Sequence, residues 1–151
     1  AINSCPKKIL KRFRQIGFKR HGFSGERVGE SQPRRVQRLP GKKLVFSNAP
    51  QHYAREVLKL LRVDDLFDDL FAIEHTRYRP KPQMHGFVRL LRKHRLNPAQ
   101  CVMVEDSAEN LQTAKRLGMK TVWVSATSRL PGYVDVKVQN VMQLPRMLRL
   151  I

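Results

Sequence analysis

Four short apolar runs recur between residues 43 and 125, each ending in polar or turn-forming residues: KLVFSNA (43–49), LFAIE (70–74), CVMVE (101–105) and TVWVS (121–125). An apolar run of strand length without alternation is the pattern of a strand covered on both faces, as in a parallel sheet. Between the runs the period changes. Pro50 opens QHYAREVLKLLRV, which sets Tyr53, Val57, Leu60 and Leu61 on one helical face. Residues 83–94 turn Phe87, Leu90 and Leu91 inward, and residues 111–117 form a third helix that Gly118 caps. Strands alternating with helices in this way predict an α/β fold, a parallel Rossmann-like sheet with flanking helices on both faces. A weak strand at 134–138 and a short last helix complete the pattern.

Residues 1–38 have a different texture. Ile9, Phe13 and Ile16 fall near helical spacing among basic residues, but the glycine-rich stretch after Gly17 has no period. The expected organisation is a basic, irregular arm over 1–38 and an α/β core over 39–151. Charge sharpens the division. The chain carries +18, and residues 1–43 hold 13 Lys and Arg against only Glu26 and Glu30. Residues 7–43 could therefore bind nucleic acid or another polyanion through phosphate contacts. They show no RNA-binding signature, so a solvated basic tail is the simpler account.

An apolar content of 41% excludes wholesale disorder. Cys5 and Cys101 make no disulfide framework, which fits a reducing, cytoplasmic setting, with Cys101 expected inside its strand. No run reaches membrane-spanning length, and the N-terminus has no secretory apolar region.

The candidate chemistry stands where the apolar runs end. Ser47 and Asn48 close one strand, Glu105 and Asp106 close another, and Lys81 lies in the proline-bounded loop TRYRPKP. In open α/β sheets the carboxyl ends of the strands share one edge, where ligands bind. A hydroxyl and an amide for phosphate oxygens, a lysine to neutralise them and two carboxylates for Mg²⁺ make a phosphate site. Ser107 is placed to cap the following helix. Taken singly, each has an ordinary structural explanation; their shared edge is the argument. His52, His75, His85 and His94 have no metal-ligand spacing, and Trp123 reads as core.

Residues 39–148 resemble the C-terminal two-thirds of a haloacid dehalogenase-like phosphohydrolase. FSNAP (46–50) is similar to the family's second motif, with Ser47 as the phosphate-binding hydroxyl, and Lys81 in RPKPQ matches the lysine of the third. VMVEDSAENL (102–111) resembles the fourth, which implies Asp106 as a direct Mg²⁺ ligand with Glu105 beside it through water. The wording of FSNAPQHYAREVL, FDDLFAIE and EDSAENL is closest to the pyrimidine 5′-nucleotidase-like branch. The resemblance implies a small phosphate ester as substrate, a nucleoside monophosphate among the candidates.

One family feature is missing. The first motif, DxDxT, supplies the nucleophilic aspartate and the general acid/base, and no such sequence occurs in these 151 residues. Its strand would lie at the sheet centre, between residues 43–49 and 101–106. Nor is the family's cap recognisable. The expectation is a hydrolase core whose N-terminal third is lost or replaced, inactive alone because covalent catalysis needs its nucleophile. The alternatives are a non-catalytic polyanion-binding module and a core completed by another chain.

Overall fold

A computed structural model describes residues 39–147, and the basic arm expected over 1–38 lies outside the described residues. Strand β1 (Leu44–Phe46) leads into helix α1 (Gln51–Leu60), β2 (Asp69–Phe71), α2 (Met84–His94) and β3 (Val102–Glu105). Helix α3 (Ala108–Arg116), β4 (Lys120–Val124), β5 (Val136–Val138) and a short α4 (Leu144–Met147) follow. The α/β class and the parallel strands expected from the sequence are both present. Three boundaries move. Ile73 and Glu74 leave the second strand for a 3₁₀ turn (Ile73–Thr76), and the weak strand contracts to Val136–Val138. The third helix starts earlier, at Ala108.

The strands form two sheets. β1 pairs with β2 in one, and β3, β4 and β5 form the other in that order, all parallel. Both sheets nevertheless share two apolar layers. On one side Val45 and Val104 pack against Leu58, Val63, Leu66, Val122 and Val124. On the other, Phe46 joins Phe87, Met103, Leu111 and Trp123, with the rings of Phe46 and Phe87 edge to face at 5.1 Å. The missing ladder therefore lies inside one continuous core.

Two sequence expectations fail here for physical reasons. The run Cys101–Val104 reads as buried throughout, yet only Met103 is; Cys101 is half-buried and precedes the strand, and Val102 is 39% exposed. The edge of β3 turned away from β4 carries no strand among the described residues. In α1, Ala54, Val57 and Leu58 form the buried stripe, whereas Leu60 points outward. The i, i+3, i+4 spacing selects 54, 57 and 58, and Leu60 sits two positions round from it. The inward residues of α2 are as expected: Phe87, Leu90 and Leu91 are buried. Gly118 follows α3 with φ of +87°, the left-handed geometry of a glycine cap. Among the described residues no helix is long and apolar enough to cross a membrane.

Candidate active site

Lys81 joins the carboxyl ends of β1 and β3, where Ser47 and Asn48 follow one strand and Asp106 the other. Its Nζ donates to the Phe46 carbonyl at 2.8 Å and to Glu105 Oε2 at 2.7 Å. The ammonium also lies 4.8 Å from the centre of the Phe46 ring, a favourable cation–π distance. The lysine and glutamate side chains are only 8% and 10% exposed, so this is a buried ion pair. An ammonium has three N–H donors, and two are committed here. Among the described residues no acceptor takes the third.

The loop carrying Lys81 is tied down from both sides. Asn48 closes a two-point clamp: its Nδ2 donates to the Lys81 carbonyl at 3.1 Å and its Oδ1 accepts from Lys81 N–H at 2.8 Å. From α3, Thr113 Oγ1 donates to the Pro82 carbonyl at 2.8 Å. Upstream, Arg77 and Tyr78 both hold positive φ, +55° and +59°, a conformation that non-glycine residues adopt at a cost of about 1–3 kcal/mol each. Fully buried Thr76 braces that turn through its hydroxyl on the Ile73 carbonyl, and Tyr78 N–H donates to the same carbonyl. The Lys81–Pro82 peptide bond is cis.

Glu105 is saturated. Oε1 accepts from the backbone N–H groups of Asp106 (3.0 Å) and Ser107 (3.4 Å), and Oε2 accepts from Lys81 and from buried Asn110 (2.9 Å). Burial alone would raise its pKa. The Lys81 charge, with hydrogen bonding from Asp106, Lys81 and Asn110, outweighs that and holds it down at about 2. The same geometry corrects the expectation for Ser107. It stands at the N-cap of α3 but its hydroxyl makes no capping bond; the Glu105 carboxylate instead accepts from the N–H groups of Asp106 and Ser107 just ahead of the helix.

Ser47 hydroxyl accepts from Ala49 N–H at 3.0 Å, which fixes its oxygen at the strand tip and leaves its proton to donate. Asp106 is half-buried beside Glu105, and its carbonyl accepts from Trp123 Nε1 at 2.9 Å. Trp123 is core as expected, and it is also a strut under the acidic tip. Trp123, Asn110 and Thr113 were not legible as site residues. Asn110 alone had a signal, one helical turn beyond Glu105. No cluster of three metal-ligating side chains exists among the described residues. Both Glu105 oxygens are committed to four donors, so a hard cation that takes one carboxylate and keeps its waters would be held through Asp106.

A family model for haloacid dehalogenase-like hydrolases matches residues 32–118. The chain belongs to the haloacid dehalogenase-like hydrolases. Hexitol phosphatase B of Escherichia coli is 30% identical over 103 residues, covering 65% of this chain and 46% of that protein. Among solved structures, a haloacid dehalogenase-like phosphatase from Thermococcus onnurineus superposes with a TM-score of 0.68 at 24% identity, over 79% of this chain and 55% of that one. L-2-haloacid dehalogenase from Xanthobacter autotrophicus gives 0.69 at 17%, over 78% and 59%. The YfnB hydrolase of Bacillus subtilis, bound to magnesium, gives 0.68 at 16%, over 78% and 52%. This haloacid dehalogenase-like chain thus spans about half the length of the relatives it matches.

Proposed function

We propose that these residues form the phosphate- and Mg²⁺-binding half of a phosphomonoesterase site. The observation that carries the reading is the buried Lys81 ammonium, held between the Phe46 carbonyl and Glu105 with one donor to spare. Lys81 and the Ser47 hydroxyl would hold the phosphoryl oxygens. Asp106 would ligate Mg²⁺ directly, and Glu105, its oxygens committed, would act behind it and keep Lys81 in place. Asn48 would serve this site by clamping the Lys81 loop, its side-chain amide being engaged there. A bound Mg²⁺ would supply charge neutralisation for the phosphoryl group.

The substrate class is a small phosphate ester. A hexitol phosphatase among the relatives and the resemblance to the pyrimidine 5′-nucleotidase-like branch make sugar-alcohol phosphates and nucleoside monophosphates the first compounds to try. Attack on phosphorus needs a nucleophile, and these 151 residues contain no DxDxT sequence. The chain by itself should therefore bind phosphate and Mg²⁺ without turnover. Phosphate release from hexitol phosphates, nucleoside monophosphates and p-nitrophenyl phosphate, with Mg²⁺ or EDTA, tests this directly. Turnover abolished by EDTA would mean that an aspartate within these residues attacks. Absence of any Mg²⁺ or phosphate binding would remove the site assignment itself.

A second reading rests on the charge of +18, concentrated over residues 7–43. Most of that segment lies outside the described residues. Polyanion binding through it would weaken steeply with salt and disappear when residues 1–38 are deleted.

A further inference from the structure

Between Glu74 and Glu105 the chain carries no Asp or Glu, while residues 75–104 hold seven Lys and Arg. A solvated face ordinarily mixes both signs, and this stretch does not. Two of the seven are accounted for. Lys81 is committed at the candidate site, and Lys93 pairs with Asp69 at 2.7 Å. Arg77, Arg79, Arg89, Arg92 and Arg95 make no ion pair with a described carboxylate.

The fold gathers four of these five arginines. His85, Arg89 and Arg92 follow the i, i+4, i+7 spacing of one helical stripe on α2, turned away from buried Phe87, Leu90 and Leu91. At 1.5 Å per residue that stripe runs about 10 Å. Arg89 Nε donates to the His75 carbonyl at 2.7 Å, which joins the stripe to the turn carrying Arg77, Tyr78 and Arg79. The convergence registers on His85. Burial lowers its pKa first, and the charges of Arg79, Arg89 and Arg77 lower it further. Its Nε2 is buried with no hydrogen-bond partner among the described residues. Between Arg77 and Arg79 in the sequence stands Tyr78, whose side chain is 73% exposed. The left-handed turn at Arg77 and Tyr78, braced by buried Thr76, presents that residue to water.

We propose that the α2 stripe and the turn carrying Tyr78 together form a binding face for single-stranded nucleic acid. Backbone phosphates lie against Arg77, Arg79, Arg89 and Arg92, and one base stacks on Tyr78. A cationic track with an aromatic platform is how single strands are held without sequence preference. Release of counterions from the phosphates supplies the attraction. A duplex keeps its base faces stacked inside, so the exposed ring favours the single strand. An acidic peptide would meet the arginines but leaves the ring without a role. An anionic bilayer takes up several apolar side chains, and this face exposes no large one besides Tyr78 and Met84. The face is a different part of the chain from the basic segment 7–43, and it rests on neither that segment nor the phosphate reading.

The test is fluorescence anisotropy of the full chain with a labelled oligothymidylate of about 15 nucleotides. The oligonucleotide carries no terminal phosphate, so the Lys81 site is not what it probes. Tyr78→Asn removes the ring with a residue that tolerates the left-handed conformation. It should weaken binding about tenfold at unchanged salt dependence, and leave the affinity for a duplex of equal length unchanged. Arg77→Gln/Arg79→Gln/Arg92→Gln keeps the Arg89 bond to His75. It should bind at least about tenfold more weakly, with the slope of log affinity against log salt shallower by about 2, from three contacts at about 0.7 each. All four positions are exposed, and matching circular dichroism spectra exclude unfolding as the cause. No loss in Tyr78→Asn, or an equal loss for single strand and duplex, overturns the proposal. So does parent affinity in the arginine variant when Lys7→Gln/Lys8→Gln/Lys11→Gln abolishes binding, which would assign it to segment 7–43. Polyglutamate that displaces the oligonucleotide as well as unlabelled oligothymidylate of equal charge would mean an acidic protein partner, and overturns it too.

Discussion

Replacing Lys81 by methionine removes the charge that compensates buried Glu105 while keeping the length of the side chain. The magnitude follows from the carboxylate. Its pKa falls from an ordinary 4.5 to about 2 in spite of burial, and at roughly 1.4 kcal/mol per unit this corresponds to about 3 kcal/mol of native-state preference for the ionised form. At 10% exposure solvent screening takes little from it. Lys81 accounts for only part of that preference, beside the hydrogen bonds with Asp106 and Asn110, but removing one partner of a buried ion pair itself costs about 3 kcal/mol, and Lys81→Met should destabilise the fold by that order at pH 7. Glu105→Gln should cost a similar amount, and the double variant should cost about 2 kcal/mol less than the sum. Urea unfolding followed through the fluorescence of the single tryptophan, Trp123, reads all three. The sign with pH is fixed as well. A depressed carboxyl contributes stability that is complete above about 4.5 and is lost as pH falls toward about 2. That acid limb should be present in the parent and clearly weaker in Lys81→Met, where burial opposes only the remaining hydrogen bonds to Glu105. Additive single-variant costs, or an unchanged acid limb, would refute the reasoning.

Three further substitutions probe the framework of the site. Gly86→Ala would ordinarily stabilise a helix by up to about 1 kcal/mol, but the added Cβ would lie 3.0 Å from both Phe46 Cζ and Thr76 Cγ2. Thr76 is fully buried, so overpacking should win and the net loss should be about 1 kcal/mol in chemical denaturation. Trp123→Phe strands the Asp106 carbonyl and should cost about 1–2 kcal/mol, read by circular dichroism, with weaker Mg²⁺ binding. Asn48→Ala opens the clamp on the Lys81 backbone; a cost near 1 kcal/mol in stability should accompany a larger relative loss of phosphate affinity in calorimetry.

The alternation of apolar runs with helical stretches made the α/β class legible, because a doubly covered strand and an amphipathic helix leave different periods. What the period could not show was the neighbour of each strand. Cys101–Val104 is as apolar as Thr121–Val124, yet only the second run is buried along its length, since β4 has strands on both sides and β3 on one. The site was legible as a set of residue types at one sheet edge, and the contacts of Lys81 with Glu105 and with the Phe46 carbonyl lie at that edge. Their division of labour was not, because it depends on contacts across 24 to 35 residues of sequence. Glu105 looked like a second metal ligand; its four donors make it first the anchor of Lys81. Ser47 and Ser107 look alike as residues at element ends, but only Ser47 receives a local backbone N–H.

The pairing of Lys81 with Glu105 has a consequence for the proposed ligands. Those two charges largely cancel, and the Asp106 carboxyl, whose side chain also hydrogen-bonds with Glu105, is the acidic group that stands beside them. A negative charge on Asp106 would repel a phosphate anion beside it, and more strongly in a partly buried site than in water. The third Lys81 donor and the Ser47 hydroxyl would offset part of that, so phosphate alone should bind weakly. A divalent cation on Asp106 would turn repulsion into attraction, and by linkage each ligand must strengthen the other by the same factor. Calorimetric titration of inorganic phosphate should show an affinity at least about tenfold higher with Mg²⁺ than with EDTA, and Mg²⁺ should bind tighter by that factor when phosphate is present. Asp106→Asn should weaken Mg²⁺ binding and at the same time improve phosphate binding in EDTA, since it removes the repelling charge. Equal phosphate affinity with and without Mg²⁺ would mean that Asp106 does not face the phosphate-binding lysine, and the shared site would have to be abandoned.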